Sequence, residues 1–400
     1  MTATATPSQQ TTTVPVRVID VDVHPIGLRE DMAEYIEEPV RSRYFRRHRY
    51  EVENRDFIYP PNGTTGHRRD ANPVPGERTG AVMERQLLGE AGVDYAILTP
   101  VATSQRLGDP EFDTALARAE NRMWSETWLS RYNEHGRYWG SIKVSSTDPV
   151  AAATEIETWA GHPRMLQVYM HPDSQIPYGR AVFDPLYAAA TRHGLPVAIH
   201  PKKAAGMGML TPVGFSSYHI ENFAQWPMQF MGHLASLVFE GTFERFPTLR
   251  VVCLEAGFTW VPAFLWRLDH RWRALRAEVP HVKRPPSEYI REHVVFSTQP
   301  IENIDPAREL APLLKWMDAG RLLMFSSDYP HYDFDAPGWL SPRLPRIYRD
   351  RVFARTALEV YGLPAERPRG VLDDWSPSVD AGVVDRSTVE PARTLEHDAE

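Results

Sequence analysis

Short apolar runs and longer amphipathic stretches alternate along this chain of 400 residues. The apolar runs are VRVIDVDVH (16–24), DYAILTPVA (94–102), RYWGSIKV (137–144), RMLQVYM (164–170), LPVAIH (195–200), LRVVCLE (249–255), HVVFST (293–298) and RLLMFSSD (321–328). They are short, β-branched and nearly unbroken in apolar character, the pattern of strands buried on both faces. Helical spacing fills the intervals at 79–92, 109–136, 148–161, 182–194, 221–241, 261–279, 307–320 and 344–362. The second of these opens on acids and stops at Gly136, as helix termini prefer. Strand and helix in turn, eight times over, predict a parallel sheet. The count of eight, with no GxGxxG after the first strand, favours an α/β fold closed as a (β/α)8 TIM barrel over an open doubly wound sheet.

Two stretches break the repeat. Residues 25–78 are rich in Pro and Arg and contain RSRYFRRHRY; residues 201–220 read PKKAAGMGMLTPVGFSSYHI. They follow strands 1 and 5, so they are expected to rise over the C-terminal face as lids or subunit arms. The plainer reading of the basic run is a solvated or subunit-facing arm. The expected organisation is a disordered Thr-rich lead at 1–14, a barrel domain at 15–365 and a tail at 366–400 that is Pro- and Asp-rich without periodicity.

Composition narrows the classes. Hydrophobic residues are 42% and charged residues 24%, enough for a sizeable core. Net charge is 44 − 52 = −8, which argues against nucleic acid or an anionic membrane as the main partner. The single cysteine, Cys253, leaves no intramolecular disulfide framework, in keeping with a reducing cytoplasm. The start lacks a basic, then apolar, secretory pattern, and no run of about 18 apolar residues exists to span a membrane. The expectation is a cytoplasmic enzyme.

The chemistry collects at strand ends, where barrels of this kind build their sites. Alternation along the first strand sets Asp20, Asp22 and His24 on one face. The fifth strand ends in His200, the sixth in Glu255 and the eighth in Asp328, with His331 shortly after. Three carboxylates and three imidazoles on one rim repel and desolvate badly without a cation, and both types are metal ligands. Each residue alone has a structural reading. A strand-end His can be a hydrogen-bonded core residue. Glu255 can cap a helix starting near Trp260. His331 can support Asp328 from outside the ligand set, as Asp20 can support the first strand. Asp333 and Asp335 read as loop or cap residues, and His219, His233 and WRLDHRW as helix or lid. His171 is a candidate for lining the pocket. Lys202 and Lys203 suit a substrate carboxylate or plain solvation.

DVDVH, IHP and FSSDYPH resemble the amidohydrolase-related superfamily, in the branch of aminocarboxymuconate-semialdehyde decarboxylase, over roughly residues 16–362. The resemblance implies a metal-bearing barrel with Asp22, His24, His200 and Asp328 as ligands. Three departures stand out. Asp22 replaces the first His of the usual His-x-His pair, LQVYM carries no lysine to bridge two metals, and Glu255 stands where many members of the branch have a catalytic His. The carboxylate-rich set is similar to that of the dinuclear-iron monooxygenases of the same superfamily, such as the 2-aminoisobutyrate hydroxylase system. Two divalent ions (+4) against Asp22, Glu255, Asp328 and a bridging hydroxide come near neutrality. The favoured expectation is therefore a dinuclear Fe or Fe/Mn monooxygenase, with Glu255, Asp328 and His331 as catalytic residues that also bind metal. It would be served by electron-donor proteins and act on a small organic or amino acid. The alternative is a hydrolase or non-oxidative decarboxylase using a single Zn or Mn, with Asp328 as base. The arms and 11 Trp residues lead us to expect a homo-oligomer or a hetero-oligomer with a related barrel subunit.

Overall fold

The computed structural model describes residues 13–25, 34–43, 79–100, 109–172, 174, 176–201, 218–302 and 304–370. Most of both expected insertions, residues 26–33, 44–78 and 202–217, lies outside the described residues, as do Lys202 and Lys203. Eight strands form one parallel sheet in sequence order. They are β1 (Ile19–Val23), β2 (Tyr95–Leu98), β3 (Tyr138–Lys143), β4 (Met165–Met170), β5 (Val197–Ile199), β6 (Val251–Cys253), β7 (Val294–Ser297) and β8 (Leu323–Met324). The sheet closes on itself. Val21 N donates to Phe325 O at 3.1 Å, His24 N donates to Tyr329 O at 2.7 Å, and Val23 bridges Tyr329 in parallel. The (β/α)8 barrel expected from the alternating pattern is the fold observed.

The helices start as the sequence dictates. Asp109 and Asp148 accept backbone N–H groups at the heads of helices Pro110–Glu126 and Pro149–Trp159, each with Pro in its first turn. Helices Thr242–Arg245, Pro286–His293 and Pro337–Leu340 fall outside the predicted stretches. Each is too short for a 3.6-residue period to stand out. The eighth strand is shorter than its apolar run, because Arg321 and Leu322 belong to the helical turn Ala319–Leu322. Among the described residues no helix is long and apolar enough to cross a membrane.

Two apolar layers hold the barrel. Ile19, Val21, Ile97, Ala198, Val252 and Val295 fill its interior. Val23, Leu98, Ile142, Ile199, Cys253 and Phe296 pack outward against the helices. Each Val, Leu, Ile or Phe side chain among them contributes about 1.5–3 kcal/mol relative to exposure. Between β3 and the helical turn Thr127–Arg131 the approach is so close that a Cβ on Gly140 would meet Leu129 at 2.6 Å. One irregularity matters for the site. The pairing of β1 with β2 shifts register between Asp20 and Val23. Ile19 and Val21 thus face inward at the bottom, while Asp22 and His24 reach the mouth. Asp20 does not join them, contrary to strict alternation.

A two-stranded antiparallel ribbon, Thr13–Pro15 with Glu366–Pro368, closes the opposite, N-terminal face. It draws residues on both sides of the expected domain boundaries into regular structure. Its anchor is buried. Arg367 Nε and Nη2 lie 2.8 and 2.6 Å from Asp94 Oδ1, while Asp94 Oδ2 accepts the backbone N–H groups of Arg17 and Val18. Removing one partner of a buried pair costs about 3 kcal/mol. Arg367→Ala is therefore expected to lower the thermal midpoint by on the order of 5 °C without changing metal content. A midpoint within a degree of the wild type would show that the ribbon is not a clasp.

Candidate metal centre at the mouth of the barrel

Asp22, His24, His200 and Asp328 come together at the C-terminal ends of the strands. One ligand atom from each lies within 4.8 Å of all the others, and all four residues are buried. His24 Nε2 is 2.9 Å from Asp328 Oδ1 and 3.6 Å from Asp22 Oδ1. His200 Nε2 is 3.3 Å from Asp22 Oδ2 and 3.2 Å from Glu255 Oε2. The His24 and His200 rings meet edge to face, 4.9 Å between centroids.

The surrounding residues aim these donors. Thr99, at the end of β2, donates its hydroxyl to Asp22 Oδ1 at 2.7 Å, and its carbonyl lies 3.0 Å from His24 Nδ1. An Nδ1–H donated to that carbonyl leaves His24 Nε2 for the cluster, the usual arrangement behind a metal-binding imidazole. Asp20 Oδ1 accepts the backbone N–H groups of Asp22 and Ser327, and its other oxygen accepts the Ser327 hydroxyl. It thereby ties β1 to the segment that carries Asp328, the supporting role expected of it. His331 Nδ1 is 2.7 Å from Asp328 Oδ1.

Backbone strain marks the same places. Asp328 has φ 59 and Glu255 φ 47, in the left-handed region that non-Gly residues rarely adopt. Glu255 does not cap the next helix, since helix Val261–Leu275 begins at Trp260 with no side-chain cap.

Charge is as polarised as the geometry. Burial alone would raise the Asp328 carboxyl, but His331 and His24 outweigh it and hold it below the carboxylate range. Burial, with the charges of Asp328 and Asp22 added, pushes Glu255 well above that range. Burial lowers His200 despite the pull of Asp22, which favours the neutral ring, in which one nitrogen carries a proton and the other a lone pair for a cation. Among the described residues, Asp22 Oδ2, His200 Nε2 and Asp328 Oδ2 are buried without a hydrogen-bond partner. Buried polar atoms are normally satisfied. Two oxygens and a nitrogen left over beside His24 Nε2 make a donor set that fits a divalent cation.

The expectation of two metals goes further than the cluster does. Glu255 and His331 flank the four residues but lie outside the converging set. His233 is structural: it sits in helix His219–Phe239, stacks on Tyr178 and lies with Nε2 2.7 Å from Pro172 O. Asp335 is buried, with its backbone N–H on Ser327 O.

Four rim residues were missed or undervalued. Besides Thr99 there is Lys143, the last residue of β3, buried with its Nζ against His171 Nε2 and 4.9 Å above the Tyr169 ring. His171 Nδ1 is 3.0 Å from His200 O, so His171 borders the centre as the pocket reading suggested. Gln299 and Asp333, joined at 3.1 Å, stand beyond β7 and β8. The available signal was position: Lys143 closes a strand in the phase that faces inward.

The amidohydrolase family pattern matches residues 19–363. The chain is 25% identical over 258 residues to γ-resorcylate decarboxylase of Rhodococcus jostii, covering 61% of this chain and 75% of that protein. Its fold is similar to 5-carboxyvanillate decarboxylase of Sphingomonas paucimobilis, with TM-score 0.60, 21% identity and coverage of 87% of this chain and 100% of the other. It is also similar to the 5-carboxyvanillate decarboxylase of Novosphingobium aromaticivorans solved with bound manganese, with TM-score 0.61, 18% identity and coverage of 87% and 97%. These relatives are decarboxylases and not oxygenases, so the resemblance to the superfamily holds while its monooxygenase branch gains no support. With a family match across nearly the whole described barrel, on a mouth that gathers Asp22, His24, His200 and Asp328, this chain belongs to the amidohydrolase family.

Proposed function

We propose that this protein is a metal-dependent, non-oxidative decarboxylase of a small hydroxylated aromatic acid. The observation that carries the reading is the single converging set of Asp22, His24, His200 and Asp328, with three buried donor atoms unsatisfied. The decarboxylase relatives supply the reaction and substrate class. When bound, a divalent ion such as manganese would supply Lewis acidity to a substrate oxygen and offset the rim's negative charge.

The chain's own residues do the rest. Loss of CO2 leaves an electron pair on carbon that must receive a proton. Asp328 sits at the centre of the rim with His24 and His331 on the same oxygen. His331 is 21% exposed and Asp328 is 1% exposed. Solvent protons therefore reach the rim at His331, whose Nδ1 shares one with Asp328 Oδ1, and the His331–Asp328 pair delivers it to carbon. Glu255, beside His200 and pushed by burial toward its neutral form, borders the same mouth. On the β3–β4 side, the buried amino group of Lys143, against His171 Nε2, offers an incoming carboxylate a hydrogen-bond donor on a rim where Asp22 and Asp328 otherwise repel it.

Protein stripped of metal and reloaded with Mn2+ is expected to bind about one ion per chain. It should release CO2 from hydroxybenzoic acids equally well in air and under argon. The carboxylate-rich rim, with Glu255 3.2 Å from His200 Nε2, is what favours the oxygenase as a second reading. About two irons per chain, with reductant-dependent oxygen uptake and no CO2, would replace the decarboxylase by that reading.

A further inference from the structure

Gln299 lies two residues beyond β7, fully buried, with its backbone N–H on Ser326 Oγ at 3.0 Å. Its side-chain Nε2 donates to Asp333 Oδ2 at 3.1 Å. That bond sets which way the amide points: NH2 toward Asp333, carbonyl oxygen away. That oxygen, Gln299 Oε1, is buried without a partner among the described residues. A buried amide oxygen left unsatisfied costs free energy, and natural sites seldom keep one without use.

The pair borders the metal centre. Asp333 is close enough for the charge of Asp328 to act on it, and Glu255 is raised in turn by Asp333. Ser297, at the end of β7, accepts the Glu255 backbone N–H on its hydroxyl at 3.0 Å. Gln299 therefore stands on the rim beside the segment that positions Glu255, with one acceptor atom to spare and an acceptor carboxylate next to it.

We infer that Gln299 Oε1 and Asp333 form a subsite that recognises a hydrogen-bond donor on the substrate, a hydroxyl or amino group, at a position other than the carboxylate that is lost. The inference rests on the aromatic-acid reading above and narrows it. Two acceptors side by side select for an O–H or N–H and against an acceptor or apolar substituent. Donor recognition at a site with a buried, otherwise unpaired acceptor is the kind that discriminates strongly, because a ligand lacking the donor leaves the acceptor unpaired.

The test is binding, so that it stands apart from turnover. Mn2+-loaded protein is titrated calorimetrically with benzoate, the three monohydroxybenzoates and the three aminobenzoates. The wild type is expected to bind at least one substituted acid on the order of tenfold more tightly than benzoate. Whether that acid bears a hydroxyl or an amino group distinguishes the two donors. Gln299→Met keeps length and loses the acceptor; it should erase the preference while leaving benzoate affinity and metal content unchanged. Asp333→Asn frees the amide to turn and should weaken the preference without removing it. Equal or undetectable binding of substituted and unsubstituted acids by the wild type overturns the inference, as does a preference that survives Gln299→Met. A preference lost in Gln299→Met without CO2 release from any acid upholds the subsite and rejects only the decarboxylase reading.

Discussion

His200→Ala is expected to fold as a barrel and to lose most of its bound metal. The backbone of residue 200 keeps its place in this variant, since its N–H donates to Met170 O at 3.1 Å and its carbonyl lies 3.0 Å from His171 Nδ1. What disappears is a neutral, buried imidazole whose Nε2 stands 3.3 Å from Asp22 Oδ2. Losing a supporting residue around a metal already costs about 10–100-fold in affinity, so losing a donor should cost at least on the order of a hundredfold. Elemental analysis beside circular dichroism decides it: full metal content in a folded variant removes His200 from the ligand set. The wild type carries a pH test of the same centre. In the metal-free protein burial opposes charge on His24, but Asp22 and Asp328 outweigh it and push the imidazole up to about 9. Below that pH an arriving cation must displace a proton, so affinity should fall roughly tenfold for each pH unit of acidification. Equal affinity at about pH 8 and about pH 6 would contradict this account.

Asp328→Asn is expected to lower kcat by about a thousandfold or more while leaving the thermal midpoint almost unchanged. Proton transfer by a placed side chain is worth about 10²–10⁴-fold, and Asp328 is also one of the four converging residues. The choice of Asn separates charge from backbone. Residue 328 has φ 59, and Asn tolerates that region better than other residues with a Cβ. Asp328→Ala should lose activity too, but with about 1–2 kcal/mol of added strain. Activity within tenfold of the wild type in Asp328→Asn, with metal retained, would move the proton-transfer role elsewhere on the rim.

The parts of this site legible in the sequence were those that a strand end makes conspicuous. Asp22 and His24 interrupt an apolar run, and His200 and Asp328 close one. Acids and imidazoles have few reasons to sit there, so pattern alone points to them. Thr99, Lys143 and Gln299 fall at equivalent places and were passed over. Hydroxyls and amides are at home in ordinary cores, and a lysine at a strand end is usually read as solvent-facing. Asp20 was legible as a supporting residue but not in its direction, because the register shift between Asp20 and Val23 depends on pairing across strands. The number of metals was the least legible. Charge balance treats all carboxylates of the rim as equal, whereas the fold draws four residues together and leaves Glu255 and His331 beside them.

The ribbon on the far face has an engineering meaning. Thr13 pairs with Pro368, and partners in an antiparallel pair sit about 5 Å apart. A spacer of a few residues is enough to splice the two together, which makes the barrel a natural subject for circular permutation. For the same reason, a bead, dye or fused reporter attached through Thr13 or Pro368 hangs from the underside and leaves the approach to the metal clear.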